Sequence, residues 1–285
     1  MGMNYEGMMG LSIPRVRQDL SPEACILYAL GTGFGRDPMH KGQLRYVYEE
    51  GLCVLPTMAN ILAHPGFWLK NPEVGVDWKR VLHLAQAFSI HRPIRPGQRL
   101  IGHSRIVGIN DKGPTKGAIL FIRKEVRTDE SGELLCSSEQ TTMLRGDGGC
   151  GGDDPPPKPV HRLPDRAADL HHDLAIPLNA ALIYRLSGDK NPLHIDPGVA
   201  RQAGFERPIL HGMCTMGYAA HSLMAALCDY EGERIRSMQV RFTAPVWPGE
   251  SLRTEMWRQK NGVSFRTRVA EREAIVLDNG YADLD

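Results

Sequence analysis

An acid, an amide and an imidazole lie close together in the second half of the chain. Asp189, Asn191 and His194 fall within six residues, in the segment Gly188-Asp-Lys-Asn-Pro-Leu-His194. Gly188 and Pro192 disfavour a regular helix there, so the three side chains are expected on a stiffened loop. An acid and an imidazole on one loop could share a single water and move its protons.

A long apolar segment follows this loop and predicts a buried helix. The segment Pro208-Ile-Leu-His-Gly-Met-Cys-Thr-Met-Gly-Tyr218 leads into it, and the helix is predicted from Met213 to Cys228. The start of a helix has backbone N–H groups without an intrahelical acceptor and the positive end of the helix dipole. If this donor-rich start faces the acid and the imidazole, the arrangement suits chemistry on a carbonyl compound.

The composition is that of an ordinary globular protein. The chain has 285 residues, of which 42% are hydrophobic and 24% are charged, enough for one large or two medium domains. The net charge is +1, so electrostatics give no argument for a nucleic-acid or acidic-membrane partner, and neither partner is expected.

A cytoplasmic location is expected because the sequence shows no recognisable targeting signal. No apolar run is long enough to span a bilayer, and the first residues lack the basic-then-apolar pattern of a signal peptide. The last residues are not a peroxisomal Ser-Lys-Leu tail. The six cysteines are scattered and form no Cys-x-x-Cys pair, which predicts reduced thiols.

Two groups of predicted strands each follow a helical segment. Ser21, Pro22 and Glu23 form a typical helix start, and Gly31 ends that helix. Residues 1–20 are predicted to be an irregular lead-in and residues 53–62 a further helix. The predicted strands cover residues 81–90, 99–109, 118–127 and 133–144 in the first half, and 234–242, 251–257, 263–270 and 274–282 in the second.

Two short matches indicate that the halves are copies of one unit. Pro93-Ile-Arg-Pro-Gly97 matches Pro245-Val-Trp-Pro-Gly249, which lies 152 residues further on. Tyr28-Ala-Leu-Gly31 resembles Tyr184-Arg-Leu-Ser187, which lies 156 residues further on. Between the halves, residues 146–164 hold five glycines and five prolines and are predicted to be a linker.

Each copy is predicted to be a curved antiparallel sheet wrapped on a central helix, with the two sheets joined edge to edge. The predicted fold class is therefore α+β, with tandem units at residues 1–145 and 165–285. Where the second unit has its acid and imidazole, the first has Gly31-Thr-Gly-Phe-Gly-Arg-Asp-Pro38, without a histidine at the matching spacing. One active site per chain is expected.

Two neighbouring segments together resemble the hydratase 2 motif. They are Tyr184-Arg-Leu-Ser-Gly-Asp-Lys-Asn-Pro-Leu-His-Ile-Asp-Pro197 and Ala203-Gly-Phe-Glu-Arg-Pro-Ile-Leu-His-Gly-Met-Cys-Thr215. This motif belongs to the (R)-specific enoyl-CoA hydratases, also called MaoC-like dehydratases. The resemblance runs from about residue 12 to the end, includes Arg241-Phe-Thr-Ala-Pro-Val-Trp-Pro-Gly249, and is to the form that has two tandem hot-dog units.

The resemblance implies that water adds to a trans-2-enoyl-CoA to give an (R)-3-hydroxyacyl-CoA. His194 would take a proton from the water, and Asp189 would hold the water and deliver a proton to C2. Asn191 would orient the loop or the water. The backbone N–H of Gly212 would bind the thioester oxygen, on which negative charge grows as water attacks C3. No cofactor is implied, because CoA is part of the substrate.

The resemblance also implies a set of substrate contacts and an acyl-chain space in the first unit. Leu84 stands where the family has glycine, so the acyl or CoA position near it is an open question, and Lys112 is either a contact to a CoA phosphate or a turn lysine. A long or bulky acyl chain and a homodimer are expected. The predicted contacts are His83, Leu84, Lys112, Asp189, Lys190, Asn191, Pro192, Leu193, His194, Gly212 and Phe242.

Several other interpretations of the same residues stay open at this point. Asp189 could cap a turn and His194 could be a bonded core histidine. Asp189, His194, Asp196 and His211 have the side-chain types of a metal site, whereas residues 171–173 are predicted to be a solvated segment. A hot-dog thioesterase would hydrolyse the same thioesters, and a non-catalytic acyl-CoA binding protein would only hold them.

Overall fold

Ten strands form one continuous antiparallel sheet in the computed structural model, which describes residues 3–285. All eight strands predicted from the sequence are present, with ends that differ by at most two residues. Their order across the sheet is β1-β3-β4-β5-β2-β7-β10-β9-β8-β6. The strands are β1 Val16–Asp19, β2 Val81–Ile90, β3 Arg99–Asp111, β4 Ala118–Thr128, β5 Leu134–Leu144, β6 Leu170–Ala175, β7 Ile235–Phe242, β8 Ser251–Gln259, β9 Gly262–Val269 and β10 Ile275–Leu284.

The α-helices are short, apart from two. They are α1 Tyr5–Met9, α2 Pro22–Gly31, α3 Lys41–Leu44, α4 Ala180–Tyr184, α5 Pro197–Gln202 and α6 Gly212–Leu227. Helix α2 begins as predicted, because the Ser21 hydroxyl accepts the N–H of Ala24 at 3.2 Å and Pro22 occupies the first turn. In residues 3–285, no helix combines the length and the apolar character needed to cross a bilayer.

The strand order repeats within the sheet and confirms the tandem arrangement. The first half has the order β1-β3-β4-β5-β2, and the second half mirrors it as β7-β10-β9-β8-β6. The halves join where β2 pairs with β7, from Ala85 opposite Arg241 to Ser89 opposite Ser237. Each half therefore covers one edge strand of the other, as the sequence predicted. The α+β class is confirmed.

The two faces of the sheet have different neighbours. The inner face carries α6 in the second half, where the helix contacts β6 and β8. In the first half, Leu120, Ile122 and Lys124 of β4 are buried on this face. The outer face carries residues such as Ile119 and Phe121 and is covered by the segment 156–161. Ligand space is thus available on both faces of the sheet.

The central helix is complete in the second unit and reduced to a single turn in the first. Helix α6 has 16 residues, most of them buried. The first unit has only the 3-10 turn Pro56–Asn60, so the prediction of a helix over 53–62 was wrong. The chain leaves the helical direction at Ala63, where φ is +43°, and Pro65 follows. This turn lies against the sheet because Gly102 has no Cβ: a Cβ there would lie 2.2 Å from the Ala63 carbonyl oxygen.

Two further sequence predictions need correction. The prediction of an irregular lead-in over residues 1–20 was wrong for the described residues. They contain α1 and the edge strand β1, which pairs with β3. His171 and Asp173 are exposed, as predicted, but residues 171–173 form part of the edge strand β6, and Asp173 binds Arg253 across the pair with β8. Both strands are too short to show a period in the sequence, and their neighbours supply the hydrogen bonds that define them.

Gly217 sets how closely α6 approaches the end of α2. A Cβ at Gly217 would lie 2.4 Å from Cγ2 of Thr32, whose hydroxyl donates to the carbonyls of Tyr28 and Ala29. The buried Thr32 side chain is therefore held in place and has little room to move away. We expect Gly217→Ala to lower the free energy of unfolding by about 1–3 kcal/mol through overpacking, although alanine favours helix.

Chemical denaturation of a double variant tests this contact directly. Thr32→Ser removes Cγ2 and keeps the hydroxyl, so Gly217→Ala should cost much less stability in that background. An equal loss of stability in both backgrounds would contradict the predicted contact.

Candidate active site

The loop with the predicted acid, amide and imidazole is held by its own side chains. Gly188 adopts a φ of 121°, which other residues rarely adopt. A carboxylate oxygen of Asp189 accepts the backbone N–H of Asn191 at 3.1 Å, and the amide oxygen of Asn191 accepts that of Leu193 at 3.1 Å. Asn191 thereby caps the 3-10 turn Pro192–His194. Its side-chain oxygen orients the loop.

His194 is buried and has one ring nitrogen free for chemistry. Its Nδ1 lies 2.9 Å from the carbonyl oxygen of Ile209. Because a carbonyl oxygen only accepts, Nδ1 carries the hydrogen and Nε2 keeps its lone pair. Burial lowers the pKa of His194, and the negative charge of Asp189 partly opposes this shift. The imidazole is therefore neutral at neutral pH and can accept a proton at Nε2.

His211 connects the loop to the start of α6. Its ring stacks on that of His194 with centroids 3.7 Å apart, and its Nε2 donates to the backbone carbonyl of Asp189 at 3.1 Å. Its Nδ1 is buried and has no hydrogen-bond partner within residues 3–285. Burial, and next the neighbouring His194, lower the pKa of His211 to about 3. A neutral His211 therefore positions both predicted catalytic residues.

The acid and the His194 imidazole are close enough to share one water. One ligand atom from each of Asp189, His194 and His211 lies within 4.8 Å of the other two. Hydrogen bonds of about 2.7–3.0 Å on either side of a water span such a separation. The sequence grouped His211 with these residues only as a possible metal ligand. Its place directly before a predicted helix start was the signal for its positioning role.

The same three side chains have metal-binding types, but their geometry is poor for one shared ion. A metal binds imidazole in the ring plane at about 2.0–2.1 Å. The rings of His194 and His211 are stacked at an interplanar angle of 28°, so their in-plane lone pairs run nearly side by side. Asp196, the fourth residue of that interpretation, caps α5 by accepting the N–H groups of Gly198 and Val199.

The N-terminal end of α6 is uncapped and lies beside an aromatic ring. Gly212 is the first residue of α6, and the side chain of His211 at the N-cap accepts no hydrogen bond from the helix. The first N–H groups of the helix therefore lack intrahelical acceptors. The Phe242 ring lies against Gly212, where a Cβ would be 3.2 Å from the ring. The His83 ring contacts Phe242 in a tilted arrangement, with centroids 4.7 Å apart.

Two predicted substrate contacts lie away from the loop and the start of α6. Leu84 and Lys112 line a groove of about 300 Å³ on the outer face, together with Arg241 and the segment 156–161. His83 and its neighbour Leu84 lie on opposite faces, as successive strand residues do, and Nε2 of His83 lies 3.0 Å from the side chain of Gln86 on the inner side. Within the loop, Lys190 and Pro192 are exposed and Leu193 is half-buried.

Both halves of the sequence match known family models. Residues 19–146 match the MFE-2 hydratase 2 N-terminal domain, and residues 160–279 match the MaoC like domain. The chain is 34% identical to enoyl-CoA hydratase 2, peroxisomal, of Arabidopsis thaliana, over 99% of this chain and 95% of that protein. It therefore belongs to the hydratase 2 and MaoC-like dehydratase family of enzymes.

Two further comparisons extend this result. The chain is 35% identical to peroxisomal multifunctional enzyme type 2 of Mus musculus over 98% of its own length, but it spans only 38% of that protein. A solved MaoC-like dehydratase from Phytophthora capsici superposes with a TM-score of 0.85 at 27% identity, covering 98% of each chain. The double hot-dog fold implied by the sequence is confirmed.

The environment of His194 predicts its titration. Because burial lowers its pKa, we expect the imidazole to become protonated only below pH 6.5, its ordinary value. Asp189→Asn removes a negative charge that favours the imidazolium, so the pKa should fall further in that variant.

Titration of the histidine resonances by NMR checks this, with His194→Gln identifying the signal. A pKa above 6.5, or an increase in Asp189→Asn, would contradict the described environment.

Proposed function

We propose that this enzyme catalyses reversible addition of water to trans-2-enoyl-CoA thioesters and forms (R)-3-hydroxyacyl-CoA. The observation that carries the proposal is the distance between Asp189 and His194, which admits one shared water beside the open end of α6. Membership of the hydratase 2 family supplies the reaction class, a hydro-lyase.

The two side chains divide the proton transfers. Nε2 of His194 accepts a proton from the water as its oxygen bonds to C3. The Asp189 carboxylate holds the same water, then receives the proton from His194 and gives it to C2. One water is added overall, and His194 and Asp189 end neutral and ionised, as they began. Acid–base catalysis of this kind is worth about 10²–10⁴-fold in rate.

The start of α6 stabilises the charge that forms on the thioester. As the C3–oxygen bond forms, electrons move towards the thioester oxygen, which becomes an enolate-like oxyanion. The N–H of Gly212 and the positive end of α6 are fixed before the reaction and can bind that oxygen. The same position in the first unit, 156 residues earlier, is Pro56, which has no N–H. This difference supports a single active site per chain.

The remaining features of the proposal concern cofactors and context. The chemistry needs only the protein and water, so we propose that no metal or cofactor takes part. The acyl-CoA is the proposed small-molecule partner. A homodimer stays a prediction. A cytoplasmic location also stays a prediction, and the mouse and Arabidopsis relatives are named as peroxisomal.

The direct test is the loss of absorbance of the conjugated enoyl thioester. We expect hydration of trans-2-enoyl-CoAs with an (R) product, and Asp189→Asn and His194→Ala should each lower kcat by about 10²–10⁴-fold. Asp196→Asn is the matched control, because asparagine also caps a helix and this variant should keep its activity.

The test also separates the competing functions. Release of free CoA thiol would identify a thioesterase instead. Binding of acyl-CoA without turnover, unchanged by the substitutions at Asp189 and His194, would identify a non-catalytic binding protein.

Replacement of Gly212 by proline tests the backbone donor. Proline is accepted at the first helical position, and His211 has φ −62° and ψ 135°, which suit a residue before proline. We expect Gly212→Pro to lower kcat by about 10²–10³-fold, because the N–H is lost. Gly212→Ala keeps the N–H and needs only a small shift of Phe242, so its loss should be much smaller.

Steady-state kinetics on both variants measure the difference. Equal losses in the two variants would mean that crowding against Phe242, and not the N–H, limits the reaction.

A further inference from the structure

The reduced central helix of the first unit leaves a small cavity of mixed polarity on the inner face. The cavity has a volume of about 50 Å³ and is partly open to solvent. This small space suits the terminal group of a chain and not a whole chain. Seven of the twelve residues that line the cavity are polar, and Phe67, Trp68, Leu69 and Ile122 supply apolar surface beside them.

A cross-strand row of donors forms the floor of this cavity. Lys124 of β4 lies directly opposite Ser104 of β3 and Ser138 of β5. Side chains opposite one another on one face are about 4.5–5.5 Å apart at Cβ. The three residues are only 3–6% exposed. Neither serine hydroxyl forms a hydrogen bond with another protein group in residues 3–285, so both are available to a ligand.

Lys124 is a buried cation without an acidic partner. Its Nζ donates to the carbonyl oxygens of Asn60 at 2.9 Å and Leu62 at 2.6 Å. These carbonyls have no helical N–H donor because the 3-10 turn ends early. An ammonium has three hydrogens, so one remains. Among the described residues that line the cavity, none is Asp or Glu. Burial lowers the pKa of Lys124 to about 8, which leaves it mainly charged at neutral pH.

A series of side-chain contacts links the cavity to the proposed catalytic site. Gln86 lines the cavity and bonds His83 at 3.0 Å, and the His83 ring contacts Phe242 beside Gly212. Asn60 also lines it and contacts Met216, one turn into α6, at 3.6 Å.

His64 also lines this cavity. Its pKa is lowered to about 3, first by burial and then by the charge of Lys124, whereas the charge of Asp189 raises it.

We propose that the row Ser104–Lys124–Ser138 binds a carboxylate at the far end of the acyl chain. The substrates would then include trans-2-enoyl-CoA thioesters whose acyl group carries a terminal carboxylate. A carboxylate supplies the counter-charge that Lys124 lacks, and it accepts from both serine hydroxyls. The expected preference in catalysis rests on the proposed function. The binding site itself is inferred from the cavity alone.

The experiment compares carboxylate-ended and methyl-ended substrates of matched length. We expect kcat/KM to favour the carboxylate-ended enoyl-CoA by about ten-fold or more at one chain length, because hydrogen bonds to charged groups are stronger than neutral ones. Lys124→Met should reduce this ratio to near one. Lys260→Met, which removes an exposed lysine from the β8–β9 turn, should leave the ratio unchanged.

Calorimetric binding of the saturated acyl-CoA counterparts gives a readout without turnover. A preference for the carboxylate-ended ligand that is lost in Lys124→Met supports the subsite even if no hydration occurs, in which case only the proposed function fails. If Lys124→Met does not fold, the double variant Ser104→Ala with Ser138→Ala should lower the same preference.

Three outcomes would overturn the inference. They are equal kcat/KM and affinity for both chain ends at every length, a preference that survives in Lys124→Met, and equal binding of a hydroxyl-ended chain, which would mean that charge is not recognised.

Discussion

The structure depends on one buried helix whose first turn has no side-chain cap. Helix α6 is apolar around its circumference and packs against the inner face of the sheet, so it is fixed by burial on all sides. In the proposed reaction, its open N-terminal end stabilises the developing negative charge. The stacked pair His194 and His211 connects this end to the loop of Asp189. The helix thus determines where the acid, the base and the donor meet.

The two units share a topology and have diverged at their helices. Gly212 begins a complete helix, whereas Pro56 begins a single 3-10 turn. The shortened turn leaves carbonyls that a buried ammonium, Lys124, satisfies from the sheet below. The first unit therefore lacks the backbone donor and the complete helix of the second. In the proposal above, it contributes the Ser104, Lys124 and Ser138 side chains to recognition instead.

Much of the fold was predictable, because the long strands have strong alternation and clear turns. The eight strands and α2 follow from these local signals. The short strands β1 and β6 did not, since four to six residues carry too little pattern and depend on β3 and β8. Lys124 was detectable in principle. It stands at an inward position of the alternating strand β4, where Leu120 and Ile122 are apolar.

The sequence by itself determined the family, the double-unit fold and the loop on which Asp189, Asn191 and His194 lie. These follow from local residue types and from a motif that is continuous along the chain. Only the tertiary structure decided that His211 stacks on His194, that Leu84 and Lys112 lie on the outer face, and that Ser104, Lys124 and Ser138 form one row. Strand register and ring stacking join residues far apart in the chain, and no local pattern specifies such contacts.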